Sequence, residues 1–194
     1  MLNLLLFLVM ASGLENNYPR PDIGLLADSD TLSYDGSPAT YYQRTDLKYF
    51  WAKFNIRDFK PDYNSQDSTF FLTYVTIYLF NSQAGKICSL WVYDGSGNLL
   101  QMLTYPVLGG TLWNEFRMPY IPIYDDSFTI VIFLPVRRTG NRYRALPYWD
   151  EGTAPDSMSG WILNDTYIPN TERDLNLRAI GPSPHTIRVF MMLG

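Results

Sequence analysis

The sequence contains one cysteine and one histidine in 194 residues, and each scarcity excludes a class of chemistry. A single cysteine, Cys88, forms no intrachain disulfide, and its place in the apolar stretch KICSLWVY predicts a buried, inert thiol. A single histidine, His185, excludes a zinc site built on several histidines, and one histidine with one distant cysteine is a poor basis for nucleophilic catalysis. We therefore expect a non-enzymatic protein and assign no catalytic residue.

The sequence also lacks an excess of positive charge. Its formal net charge is −4, whereas nucleic-acid binders owe most of their affinity to basic residues that neutralise phosphates. We therefore expect no dedicated basic groove for nucleic acid.

A third absence is helical periodicity, because no segment keeps the i, i+3, i+4 apolar spacing over about twelve residues. Strand patterns are present instead. Residues 49–59 alternate between a core face and a solvent face, with Trp51 on the solvent face beside Lys53. Residues 69–80 are apolar or β-prone on both faces, and residues 128–136 form the most apolar strand of the molecule. Aromatic residues make up 16%, and 13 prolines and 13 glycines supply turns. These patterns predict an all-β fold: a two-sheet antiparallel sandwich, jelly-roll-like, with about eight to ten strands and almost no helix.

The amino-terminal end has the pattern of a secretory signal. LLLFLVM is followed by the small residues of ASG, which predicts that residues 1–13 are a signal peptide or, if retained, an apolar arm. This run is too short to span a bilayer, so we expect no transmembrane segment. Residues 14–46 are rich in Pro, Gly, Asp and Ser and predict an extended lead-in with one short strand near Tyr41, followed by a single β-sandwich domain over 47–194.

Two loops have the oxygen-rich composition that calcium requires. DGSGN offers Asp94, Ser96 and Asn98 at alternate positions, and DYNSQD offers Asp62, Asn64 and Asp67. Neither loop has a terminal bidentate glutamate, and both are also ordinary turn compositions. Calcium is therefore the one cofactor that the sequence suggests, with Asp94 as its first ligand.

Other polar motifs lie in predicted turns. The acid pairs Asp125–Asp126 and Asp150–Glu151 have the carboxylates that a glycosidase needs, but aspartate is also favoured in turns for its local hydrogen bonds. Asn164 begins the tripeptide NDT, an acceptor for N-glycosylation if the chain is secreted by a eukaryote.

An arginine cluster follows the most apolar predicted strand. It predicts a hairpin tip that meets acidic groups of the YDDS and WDEG loops or of a partner, since arginine is common at interfaces. The four residues of this interface hypothesis are Arg137, Arg138, Arg142 and Arg144.

Residues 88–150 resemble the later half of a MAM domain, an extracellular adhesion module. The matching positions are Leu90 with Val92, Trp113, Phe128 with Ile130, Arg138 with Gly140, and Ala145 with Leu146. The resemblance implies a jelly-roll fold and a non-enzymatic role in adhesion or assembly. The closing stretch LRAIGPSPHTIRVFMMLG is similar to the last strand of picorna-like viral capsid proteins, which implies a shell subunit in a virion.

Together these features predict a secreted, non-enzymatic β-sandwich that acts as a binding or adhesion module in protein–protein assembly or self-assembly. A structural shell subunit is the first alternative. A carbohydrate-binding module that uses exposed Trp and Tyr with a calcium ion is the second, so a glycan is also among the expected ligands.

Overall fold

A computed structural model describes eight stretches of the chain, namely residues 29–34, 40–41, 47–66, 68–82, 84–134, 146–150, 158–171 and 173–182. These stretches contain twelve strands and one short helix. In chain order the elements are β1 (Ser29–Leu32), β2 (Thr40–Tyr41), β3 (Tyr49–Asn55), α1 (Ile56–Phe59), β4 (Phe70–Ser82), β5 (Ile87–Asp94), β6 (Leu99–Pro106), β7 (Gly110–Ile123), β8 (Ser127–Phe133), β9 (Leu146–Trp149), β10 (Ser159–Leu163), β11 (Thr166–Pro169) and β12 (Leu177–Pro182).

The strands form two six-stranded antiparallel sheets. In sheet 1 the order is β1-β12-β4-β9-β2, and β7 also pairs with β4; in sheet 2 the order is β11-β10-β3-β8-β5-β6. Eight of these strands follow the jelly-roll path, in which β1-β12-β4-β7 faces β3-β8-β5-β6 and the chain crosses between the sheets at most connections. The predicted antiparallel sandwich with almost no helix is therefore confirmed. The strand count exceeds the expected eight to ten because β2, β9, β10 and β11 add short strands beside the jelly roll.

The core lies between the sheets and consists of alternate side chains from both. Phe128 of β8 stacks on Phe54 of β3 at a ring-centroid distance of 5.3 Å and on Phe70 of β4 at 5.8 Å. Trp149 is fully buried near Phe50 and meets it edge-on at 6.4 Å. Large aromatic rings therefore fill the space between the sheets and form the centre of the core.

Strand β3 is shorter than the alternation over 49–59 suggested. Asn55 ends it because the Asn55 side chain accepts a hydrogen bond from the Arg57 backbone N–H at 3.3 Å and caps the single turn of α1. The lead-in over 14–46 contributes β2, the short strand expected near Tyr41, and also β1, which pairs with β12. Residues 1–13 lie outside the described residues. No helix in the described stretches has the length and hydropathy needed to cross a bilayer.

A substitution at Gly160 tests how closely β10 and β11 approach each other. A Cβ atom on Gly160 would overlap the backbone carbonyl of Ile168, which belongs to the strand and cannot rotate away. We expect Gly160→Ala to lower the free energy of unfolding by about 3 kcal/mol, the upper end for overpacking, as measured by urea denaturation. Ser96→Ala, in an exposed turn, is the matched control and should change it by less than about 0.5 kcal/mol. Equal stability of the two variants would contradict this packing.

Candidate functional site

The outer face of sheet 2 is lined with aromatic side chains. In β3, Phe50, Ala52 and Phe54 point into the core, so the alternate residues Tyr49 and Trp51 point outward. The same alternation in β5, β8 and β11 places further rings on that side. We call this surface the aromatic face and define it by Tyr49, Trp51, Trp91, Tyr93, Phe133 and Tyr167.

Strand register brings these residues together. Trp51 of β3 lies opposite Val131 of β8, Val131 lies opposite Trp91 of β5, and Trp91 lies opposite Met102 of β6. A row of large apolar side chains therefore crosses four neighbouring strands. In an adjacent row, Tyr49 lies opposite Phe133. Residues directly opposite in an antiparallel pair have Cβ atoms roughly 5 Å apart, so the rows form a continuous surface.

Ring contacts join the rows. Tyr49 lies 5.1 Å from Phe133 and 6.1 Å from Trp91 between ring centroids, and Tyr167 meets Trp51 edge-on at 5.6 Å. Trp51 is only 8% exposed, although the sequence places it on the solvent side of β3. Tyr49 and Tyr167 keep 40% and 48% of their surface exposed. The aromatic face therefore has a packed centre with exposed tyrosines beside it.

The aromatic face carries very little charge. Among the described residues, Lys53 is the one charged side chain that points outward from the strands of sheet 2. Burial chiefly, and the charge of Tyr93 to a lesser extent, raises the pKa of the Tyr167 hydroxyl. The surface can therefore offer ring faces and neutral hydroxyl groups, but few ionic contacts.

The Asp94 loop forms the hairpin turn between β5 and β6. Oδ1 of Asp94 accepts hydrogen bonds from the backbone N–H groups of Ser96 and Asn98 at 3.0 and 2.7 Å, and Oδ2 accepts one from the Asn98 side-chain amide at 2.9 Å. These bonds, the Asn98 side chain first, lower the pKa of the Asp94 carboxyl. The three residues predicted as calcium ligands thus do lie together, and in this structure Asp94 closes the turn.

The second predicted calcium loop is also a turn. The Asn64 side-chain oxygen accepts a hydrogen bond from the backbone N–H of Gln66 at 3.2 Å, Asp62 is exposed, and Asp67 lies outside the described residues. Across the described stretches, no three His, Cys, Asp or Glu side chains are grouped so that they could share a metal ion.

The two acid pairs singled out by the sequence have separate local partners. Asp125 accepts a hydrogen bond from the backbone N–H of Gly95 at 2.9 Å, and Asp126 forms an ion pair with Arg57 at 3.1 Å. Asp150 is buried and accepts a hydrogen bond from the backbone N–H of Asp174 at 3.1 Å. Glu151 lies outside the described residues. The Asp125 contact joins two turns, the Asp126 contact joins a turn to α1, and the Asp150 contact joins the end of β9 to the segment before β12.

Asn164 lies at an exposed hairpin tip between β10 and β11. Asn164 and Asp165 have φ angles of 49° and 60°, so both occupy the left-handed region in a two-residue turn. Asn and Asp tolerate this region better than most residues, which gives Asn164 a structural role beside the predicted glycosylation. The hydroxyl of Thr166 donates to the Asn164 carbonyl at 3.4 Å, and all three residues of the tripeptide are exposed.

Cys88 is fully buried in β5, as its apolar surroundings indicated. Burial raises the pKa of its thiol to about 11, and the Sγ atom donates to the Tyr105 carbonyl at 3.3 Å. A thiol with this pKa is protonated at neutral pH and is a poor nucleophile. The remaining sequence predictions, namely Arg137, Arg138, Arg142, Arg144 and His185, lie outside the described residues.

The aromatic face was not predicted from the sequence, although the residues that form it follow a regular pattern. Residues 49, 51, 91, 93, 131 and 133 are all aromatic or β-branched and occupy alternate positions of three strands. Recognising them as one surface requires the strand order β3-β8-β5, which the sequence does not show.

No protein-family model matches the chain, and no curated protein sequence matches it. Its fold is similar to that of the clostridial cysteine protease Cwp84 after propeptide cleavage, with a TM-score of 0.58 and 12% identity over 80% of this chain and 40% of that one. It is also similar to a structure of the cysteine protease and lectin-like domains of Cwp84, a surface layer associated protein of Clostridium difficile, with a TM-score of 0.55, 10% identity and coverage of 80% and 36%. The chain thus aligns with two fifths or less of these proteins, and the likeness shows the fold alone. Neither is a MAM domain or a capsid protein.

Replacing Asp94 by asparagine tests what closes the β5–β6 turn. Because hydrogen bonds lower the pKa of the Asp94 carboxyl, the carboxylate stabilises the fold above the unfolded value of 3.8, and this contribution is lost as the pH falls through the lower folded value. We expect the wild type to have a higher Tm than Asp94→Asn at neutral pH, and the difference to disappear as the pH is lowered below that unfolded value. A difference that persists in strong acid would argue against a carboxylate effect.

The same pair of proteins tests the calcium prediction. A calcium ion bound to the DGSGN loop would make the wild-type Tm fall on addition of a chelator, while Asp94→Asn would not respond. An equal response in both proteins would count against a calcium site at Asp94.

The hairpin tip gives a prediction for Asn164. Asn164→Gly should keep the free energy of unfolding within about 0.5 kcal/mol, because glycine also accepts the left-handed conformation. Asn164→Val should lower it by about 1–2 kcal/mol, because a β-branched residue is strained there. Both variants remove the glycosylation acceptor, so the comparison in a bacterially produced protein isolates the backbone effect. An equal loss of unfolding free energy in both variants would contradict the role of the left-handed conformation at Asn164.

Proposed function

We propose that the chain is a non-enzymatic extracellular binding module that recognises carbohydrate through the aromatic face. The observation that carries the proposal is a contiguous aromatic surface, almost without charge, on the outward side of a sandwich sheet. Antiparallel sheets usually have one face on the core and one polar face in solvent, and here the outward face of sheet 2 is largely apolar. An apolar surface of this kind on a folded protein commonly marks a binding site.

The chemistry of the aromatic face suits a neutral sugar. A pyranose ring has C–H groups on its flat faces, which pack against aromatic rings, and hydroxyl groups on its rim, which need hydrogen-bond partners. Tyr49, Tyr93 and Tyr167 provide both an apolar ring and a hydroxyl, and Trp91 provides a large ring without charge. Since Lys53 is the one outward charge described there, an acidic or basic polymer would find little complementarity.

Trp51 adds a hydrogen-bond donor at the centre of this surface. Its indole N–H is buried and has no hydrogen-bond partner among the described residues. An unpaired buried donor costs about 1–3 kcal/mol, so a ligand hydroxyl that reached it would relieve that cost. This gives binding a source of affinity beyond the burial of apolar area.

A binding role without catalysis agrees with the other described groups. The one thiol is buried with a raised pKa, and the two acid pairs of the sequence are engaged in local contacts. Two similar folds come from a protein described as surface-layer associated, one of them with a lectin-like domain, which supports an extracellular, glycan-directed role for this chain. The signal-like amino terminus supports the same localisation.

Protein–protein assembly is the second candidate, in keeping with the adhesion role that the sequence suggested. The observation that favours it is the concentration of exposed aliphatic side chains beside β6. Aromatic and aliphatic surfaces are also common in protein interfaces, so the two candidates are separated by the ligand that is bound.

Binding of wild type to a panel of neutral oligosaccharides and insoluble polysaccharides tests the proposal. We expect the double variant Tyr49→Ala, Trp91→Ala to weaken binding to any glycan retained by the wild type at least about tenfold, or 1.4 kcal/mol. Tyr124→Ala is the matched control, because Tyr124 lies between β7 and β8 and, at 66%, is the most exposed large hydrophobic side chain among the described residues. Far-UV circular dichroism verifies that both variants are folded.

The proposal fails if the wild type retains no glycan of the panel, or if the double variant binds as tightly as the wild type. A loss of binding in Tyr124→Ala equal to that in the double variant would also overturn the assignment to the aromatic face.

A further inference from the structure

The edges of the two sheets differ in how they are protected. An exposed strand edge presents unpaired N–H and C=O groups that can pair with a strand of another chain. Proteins usually prevent such pairing with charges, prolines, bulges or short strands at the edge. Among the described strands, β1, β2, β6, β7 and β11 lie at sheet edges.

Three of these edges carry such protection. Strand β7 has Glu115 and Arg117 in its middle and prolines at 119 and 122. Strand β11 has four residues and ends at Pro169, and β1 has four residues, with Asp30 in an ion pair with Lys60 at 2.6 Å. The two-residue β2 is too short to act as a template.

Strand β6 lacks comparable protection. Its eight residues, LLQMLTYP, include no charged side chain, and within the described part of the chain it pairs with β5 alone. The two features that could discourage pairing lie at its ends: an irregularity in the β5–β6 register near Leu100, and Pro106. Residues 101–105 between them offer an uninterrupted edge.

Exposed aliphatic side chains are concentrated at the same place. Four large aliphatic residues in the described stretches are more than half exposed: Ile87 at 52%, Leu99 at 53%, Met102 at 51% and Leu108 at 55%. Leu99 and Met102 belong to β6, Ile87 lies opposite Pro106, and Leu108 follows the strand by two residues. The other exposed large hydrophobic residues in the described part of the chain are all tyrosines, which tolerate solvent through their hydroxyl groups.

We propose that β6 pairs antiparallel with β6 of a second copy of this chain and so joins two copies of sheet 2. The strand is self-complementary in this arrangement. A two-fold axis through residues 101–105 brings the start of one strand to the end of the other, so Leu99 of one copy lies near Pro106 and Leu108 of the second. Since β6 has no charge, the pairing places no like charges opposite each other.

Sedimentation velocity on the full chain, from about 1 µM to about 1 mM, tests the pairing. We expect the wild type to reach the mass of a dimer, and Met102→Lys to raise the dimer dissociation constant at least tenfold, because it places a lysine on the paired edge. Glu115→Lys adds positive charge to β7, the other long edge strand, and should dimerise as the wild type does. A wild type that stays monomeric over the range, or a Met102→Lys variant with unchanged affinity, overturns the proposal.

Cross-linking distinguishes β6 pairing from any other mode of association. In the proposed dimer the two copies of residue 102 lie within about 10 Å, given a strand spacing near 4.8 Å and a rise near 3.4 Å per residue. A bifunctional thiol reagent of that length should cross-link Met102→Cys and leave Ser96→Cys, in the distant turn, as monomer. The native thiol at Cys88 is buried with a pKa of about 11 and provides an unreactive background. Cross-linking of Ser96→Cys but not of Met102→Cys refutes the pairing.

Discussion

The ladder of β3, β8 and β5 is the constraint on which the rest of the structure depends. Its register places Phe54 opposite Phe128 and Trp51 opposite Val131, so the same backbone hydrogen bonds determine which rings enter the core and which line the outer surface. Because side chains alternate between the two sides of a strand, a slip of one residue would exchange the two sets. The core-facing and the outward-facing side chains are both largely apolar here. The strand register therefore depends on how well the side chains pack, and not on polarity alone. The stack of Phe54, Phe128 and Phe70 between the sheets is a fit of that kind.

The aromatic face and the unprotected edge of β6 belong to one continuous surface. Met102 lies opposite Trp91 in the β5–β6 ladder, so it closes the aromatic row and is exposed at the strand edge. A dimer formed through β6 would extend this surface across two copies, and a bound polymer would then contact two sites at once. Linking two sites in this way raises overall affinity without any new contact to the ligand. The two proposals are independent but compatible in geometry.

The sequence predicted where the turns lie, but only some of the contacts that close them. The DGSGN hairpin and the exposed NDT tip were both identified as turns, because Gly, Asp and Asn act through their own local hydrogen bonds and conformations. What closes each turn depends on atoms that the pattern does not reveal. Asp94 accepts hydrogen bonds from Ser96 and Asn98, and the ion pair of Asp126 is with Arg57, which is distant in sequence. Asp126 therefore acquired its partner only in the folded chain, whereas the partners of Asp94 lie in its own loop.

The sequence by itself determined the fold class and most of the strands, since period-2 patterns, β-branched and aromatic residues and frequent turns are local properties. The sequence by itself did not determine which strands pair, because strand pairing depends on contacts between residues far apart in the chain. Trp51 illustrates the difference: the pattern placed it on the solvent side of β3, and the neighbouring strands, together with Tyr167 of β11, leave it 8% exposed. Likewise the position of residues 99–106 at an unprotected sheet edge followed only from the strand order. Local chemistry sets what a segment can form, and tertiary structure decides what lies beside it.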